Sequence, residues 1–180
     1  MPVDLTATEE QALKEITEKI RELREFLNMY ELPSDTSRLD GWFNFLNLTK
    51  TILGNFNNDV SFVATLLAKL YLVRKHAGFT FDAAGKSQSA PGLDIDVRLA
   101  DGRRIIGEVK TVEPYKETDF GAQQQNTFQK DFAKLSKTIA DYKYLFLTEP
   151  RAFDVVEARY RKHIPGVTVV CLSDGREFIA

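Results

Sequence analysis

Leu93-Asp94-Ile95-Asp96-Val97-Arg98-Leu99, then Ala100-Asp101-Gly102-Arg103, then Arg104-Ile105-Ile106-Gly107-Glu108-Val109-Lys110-Thr111-Val112 is the stretch that decides how the chain folds. Its two flanks alternate apolar and polar residues, and the four residues between them carry the turn chemistry of a hairpin. Side chains two apart on a strand share a face. Asp94 and Asp96 therefore point one way while Ile95 and Val97 point into a core, and Glu108 and Lys110 share a face opposite Val109. The hairpin sets the two strands side by side, so their charged faces can converge.

Working outward, the chain before the hairpin reads as helices. Thr6 with Glu9 forms a capping box. Leu13, Ile16, Ile20, Leu23, Leu27 and Tyr30 follow at spacings of three and four, a narrow seam suited to helix pairing. Leu32-Pro33-Ser34-Asp35 stops this helix. A second helix is predicted over about 38–53 and is broken by Gly54-Asn55. A third, capped by Asp59, is predicted over about 60–76; it ends in Arg74, Lys75 and His76 with Gly78 just beyond. Phe79-Thr80-Phe81 reads as a short strand, and 83–91 as a polar loop.

After the hairpin come a helix over about 123–142, with Phe128, Phe132, Leu135 and Ile139 on its buried side, and a strand over 144–147. A helix over about 152–163 and a strand over 167–172 follow, with a possible edge strand over 176–179. Two extra helices thus precede the order helix, three strands, helix, strand, helix, strand. That order implies an α/β (α+β) fold with a central mixed sheet flanked by helices.

The chain has 180 residues, 43% of them hydrophobic and 28% charged, which suits one soluble globular domain with a small helical extension. No apolar run opens it, so no signal peptide is expected. The apolar stretch from Val60 to Val73 is interrupted by Ser61, Thr65 and Lys69 and reads as a buried helix, not a membrane span. The single cysteine, Cys171, lies in an apolar run. It excludes a disulfide within the chain and a cysteine-rich zinc site, and it fits a reducing cytoplasm. A net charge of −2 does not announce a nucleic-acid binder, although one basic cleft can bind phosphates on an otherwise acidic protein.

The converging face holds two or three carboxylates and one lysine between apolar residues. Clustered carboxylates repel in a partly dry site. A magnesium ion relieves that repulsion, because it takes oxygen ligands and keeps several waters after binding one or two carboxylates. Such an ion polarises a scissile phosphate and lowers the pKa of a bound water, and Lys110 beside that water can orient it or stabilise developing charge. A plain solvated hairpin face also alternates in this way. Three features weigh against that reading: the mid-chain position between apolar elements, the sharp Ser89-Ala90-Pro91-Gly92 entry, and a following helix rich in amides and lysines.

Pro91-Gly92-Leu93-Asp94 and, across the hairpin, Glu108-Val109-Lys110 resemble the motif of the PD-(D/E)xK nuclease superfamily, which includes restriction endonucleases, RecB-type nucleases and Holliday-junction resolvases. The likeness covers about residues 60–172, and its element order is the family's. It implies a restriction-endonuclease-like core over 57–180, and the helical extension over 1–56 that precedes it is a candidate dimerisation element. It also implies Asp94 and Glu108 as ligands of Mg2+ (or Mn2+ in its place) and Lys110 acting on the attacking water.

The activity so implied is that of a metal-dependent endodeoxyribonuclease of restriction type on duplex DNA. The alternatives are a repair or resolvase-type nuclease, and a non-catalytic DNA-binding or assembly module. Gly92 and Leu93 separate the proline from the aspartate, which leaves Asp94 or Asp96 as the ligand, with Asp94 preferred at the strand entrance. Asp59 is the nearest candidate for the acid that many members carry on the first core helix, and capping explains it equally well. A glutamine-to-tyrosine motif of RecB type is not evident.

Substrate contacts are expected from Lys86 and Gln88 before the first strand, and from Lys116, Gln124, Lys130 and Lys134 after the second. Lys130, Lys134 and Lys137 recur at helical spacing and can neutralise phosphates, though an exposed helix face also simply carries lysines. The seam on the first helix can pair with a second copy, giving a homodimer whose symmetry matches that of duplex DNA, or it can fold back on the chain's own second helix.

Overall fold

The structure, a computed structural model, describes residues 4–33, 35, 38–86 and 91–180. The chain divides into two compact units, 4–59 and 60–180, with the boundary in the first turn of a helix.

In the first unit α1 (Ala7–Met29) opens with the expected capping box, Thr6 accepting from the Glu9 N–H and Glu9 from the Thr6 N–H. α2 (Leu39–Leu53) packs against it. The seam is turned from its expected position. Phe26 is buried between Tyr30 and Phe45, its ring centroid 5.2 Å from that of Phe45, whereas Ile20, Leu27 and Tyr30 stay about half exposed. α2 is the partner that selects the Phe26 side, as in the fold-back alternative.

The second unit begins within α3 (Phe56–Lys75), followed by β1 (Ile95–Arg98), β2 (Arg104–Lys110), α4 (Ala122–Lys137), β3 (Tyr142–Leu147), α5 (Pro150–Val155), β4 (Thr168–Cys171) and β5 (Glu177–Ile179). The five strands form one mixed sheet in the order β1-β2-β3-β4-β5: β2, β3 and β4 run parallel, and the two edge strands run antiparallel to their neighbours.

Helices cover both faces of this sheet, as parallel strands require. Ala68 and Leu72 of α3 pack with Ile95, Ile105, Tyr144, Phe146 and Val170 on one face. On the other, Phe128, Phe132 and Leu135 of α4 join Ile106, Leu145, Leu147 and Val169 with α5. Cys171 is a buried free thiol. Among the described residues, no helix is long and apolar enough to cross a membrane.

Four expectations about elements are corrected. α3 starts at Phe56, so Asp59 lies inside its first turn rather than capping it. Phe79–Phe81 is not a strand; Phe79 is 4% exposed and plugs the α3-side core, its ring 5.5 Å from that of Phe81. α4 stops at Lys137, because Tyr142 and Lys143 must be extended to pair with Ile105 and Ile106; Ile139 is consequently 89% exposed instead of buried. The helix after β3 starts at Pro150, passes through a π-helical turn over Val156–Tyr160 and ends as a 3-10 turn over Arg161–His163.

Candidate active site

The register of the hairpin brings the first two acids together. Ile95 lies opposite Gly107, and the same register carried one residue further sets Asp94 opposite Glu108. Asp94 precedes the strand and is exposed, and its Oδ2 accepts the Val109 N–H at 2.8 Å. Glu108 lies inside β2 at 1% exposure, on the face covered by α4. Burial pushes its carboxyl up to about 8, with the charge and hydrogen bond of Asp94 and the charge of Asp131 adding to the rise; Lys110 pulls the other way. The sequence reading has the charged face opposite the core, but both faces are covered, so Glu108 is far drier than a hairpin edge implies.

Lys110 stands on the same face of β2 as Glu108. Its Nζ lies 2.7 Å from Asp131 Oδ2. Asp131 was not foreseen. It is 3% exposed, and its second oxygen accepts from Lys134 Nζ at 3.0 Å. Lys134 Nζ also donates to Glu108 Oε1 at 3.1 Å and to the Gly92 carbonyl at 3.3 Å. Burial disfavours the Lys134 charge, but the bonds to Asp131 and Glu108 outweigh it and raise the pKa.

The centre is thus Asp94, Glu108, Lys110, Asp131 and Lys134, drawn from the hairpin and one helix. A signal for Asp131 existed: it follows Phe128 by three and precedes Leu135 by four, so an acid stands on the apolar face of α4.

Other expected residues lie elsewhere. Asp96 is chelated by Arg104, Nε to Oδ1 at 2.8 Å and Nη2 to Oδ2 at 2.7 Å, and these bonds hold its pKa low. Both Asp59 oxygens accept from Lys19 Nζ, at 3.0 and 2.8 Å, an ion pair within the first unit in place of the ligand role. Gln124 gives both ends of its amide to the chain's own backbone instead of a substrate: Nε2 donates to the Glu113 carbonyl, and Oε1 accepts from the Tyr115 and Gly121 N–H groups. Lys86 Nζ donates to the Leu93 carbonyl, fastening the segment that leads into Asp94. Lys116 and Lys130 are exposed, and Gln88 lies outside the described residues.

Among the described residues, no group of three or more His, Cys, Asp and Glu side chains is arranged to hold a metal ion. Asp131 is turned to the two lysines, which leaves Asp94 and Glu108 as a converging pair, one facing solvent and one buried. Two hard oxygen donors beside open solvent fit a magnesium ion that retains most of its waters. The elevated Glu108 pKa comes first from burial and then from the neighbouring Asp94 and Asp131 carboxylates. Compared with known proteins, the chain matches no family model and no curated protein.

Proposed function

We propose that the chain is a divalent-metal-dependent endonuclease that hydrolyses DNA phosphodiester bonds, built on a restriction-endonuclease-like core of the PD-(D/E)xK type. The observation that carries the reading is the pairing of buried Glu108 with exposed Asp94 at the end of a hairpin, bordered by Lys110. Magnesium, or manganese in its place, would supply Lewis-acid polarisation of a phosphate oxygen and a bound water of lowered pKa. Asp94 and Glu108 would hold it, with Asp94 oriented by the Val109 N–H.

Lys110, positioned by Asp131, would present its ammonium to the attacking water or to charge building on the phosphate. Lys134 would release Glu108 as a cation arrives and remain anchored on Asp131. Residues 60–180 carry eighteen Lys and Arg against fifteen Asp and Glu, a surplus that favours a polyanionic substrate despite the acidic whole. A homodimer belongs to the proposal: Leu39, Phe43 and Leu46 of α2 are 73%, 69% and 59% exposed, an apolar surface unusual on a monomer.

One observation favours a second reading, a non-catalytic module: Lys110 and Lys134 already contact Asp131 and Glu108 where a cation would otherwise be needed. Incubation of supercoiled plasmid and linear duplex with magnesium, beside a chelator control and Lys110→Ala, separates the two. Cutting that disappears in both controls supports the nuclease. Well-folded protein that cuts neither duplex, single-stranded nor branched DNA sinks it in favour of the module.

A further inference from the structure

A cavity of about 350 Å³ opens at the carboxyl end of β2, next to the catalytic centre. Val109, Val112 and Phe128 give it an apolar floor, and Ser61, Thr111, Gln123 and Thr127 supply polar groups. Among the described residues Lys110 is the only charged one in its lining, and its ammonium is engaged by Asp131. Among the described residues the side chains of Ser61, Thr111 and Gln123 make no hydrogen bond, whereas Gln124 is fully used by the backbone. The walls therefore offer two free hydroxyls and one free amide around an apolar floor.

Gln123 and Gln124 come from the first turn of α4 and Lys110 adds a cation, but that ammonium is already engaged by Asp131, so a phosphate would find little free positive charge here. A neutral planar group with donors and acceptors along its edge suits this lining. We propose that this cavity takes one unpaired nucleobase of the substrate, adjacent to the phosphate that a cation on Asp94 and Glu108 would hold. Gln123 and Thr111 read the base edge, and Val109 and Val112 line its flat side.

A base reaches such a pocket only out of the stack. Extrusion from an intact duplex is opposed by pairing and stacking, and least opposed where the strand is already single or mispaired. The preferred substrate is accordingly single-stranded, flapped or bulged DNA rather than continuous duplex. This inference rests on the nuclease reading for its choice of polymer, but it can fail separately.

The test uses the full chain in EDTA and fluorescence anisotropy with three labelled probes: single-stranded oligothymidylate, an abasic strand of the same length, and a blunt duplex. The base-bearing strand is expected to bind about tenfold tighter than either of the others. In the double variant Gln123→Ala/Thr111→Val, which swaps an exposed amide and replaces a hydroxyl by a methyl, that ratio falls toward one. Equal affinity for abasic and base-bearing strands, or an unchanged ratio in the variant, overturns the proposal. Base-dependent binding without magnesium-dependent cleavage keeps the pocket and removes the nuclease. Lys110-dependent cleavage of duplex with an indifferent Gln123→Ala/Thr111→Val variant does the reverse.

Discussion

Glu108 and Asp131 are the two buried acids of the centre, and each makes a separate demand on the protein. With its pKa near 8, Glu108 holds a proton in the folded chain that the unfolded chain, at its ordinary 4.5, has already lost. The stabilisation from that proton is complete below the unfolded value and is lost as pH rises through the folded one. Without divalent cation, the wild-type Tm is expected to fall relative to that of Glu108→Gln between about pH 5 and pH 8. The neutral amide stands in for the protonated acid and should melt a few degrees higher on the alkaline side, on the order of 2–4 °C per kcal/mol for a chain of this size. Parallel melting curves across that range would refute the assignment. Asp131→Asn keeps the shape and removes the charge that holds Lys110 and Lys134. Single-turnover and steady-state cleavage should show kcat down by about 10–100-fold, the usual loss for a residue that orients a metal-site group, with KM for DNA little changed. A rise in KM alone would make Asp131 a substrate-affinity residue.

At the scale of elements, the hairpin register gives different surroundings to the two aspartates left open by alternation alone. Asp94 meets Glu108, while Asp96, two residues on, is held by Arg104. Magnesium is therefore expected to raise the Tm of Asp96→Ala as it raises that of wild type, and to leave Asp94→Ala unmoved in a thermal-shift titration; the opposite pattern would make Asp96 the ligand. The hairpin was legible because alternation and turn chemistry are local, and so were the capping box and the apolar α3. What depended on a distant partner was not. Phe79–Phe81 has strand composition but contributes a core plug, and the end of α4 is set by where β3 must begin its pairing with β2. The same reason hid Asp131. A lysine-rich helix reads as a solvated face until its packing on β2 turns that acid inward, although its place in line with Phe128 and Leu135 was visible in the spacing.

For the molecule as a whole, charge is divided unevenly. Residues 4–59 carry six Lys and Arg against eleven Asp and Glu, so the net charge of −2 conceals the basic surplus of residues 60–180. Several of those basic groups are already committed: Lys75 to Glu177, Arg104 to Asp96, Arg151 to Glu113, Arg176 to Asp154 and Asp174. The exposed lysines Lys116, Lys130 and Lys137 are the better candidates for phosphate contacts. Each contact with a single strand contributes about −0.7 to the slope of log K against log salt concentration, so three of them predict a slope of roughly −2, shallow for a nucleic-acid-binding protein. Anisotropy titrations of single-stranded oligonucleotide across a salt series give this slope directly, and Lys130→Ala should reduce its magnitude by about 0.7 while weakening binding equally for every base sequence. A slope unchanged by Lys130→Ala would return the lysines of α4 to a solvated helix face. Affinity would then have to come from the neutral pocket beside Lys110 and from a cation proposed to bind at Asp94 and Glu108.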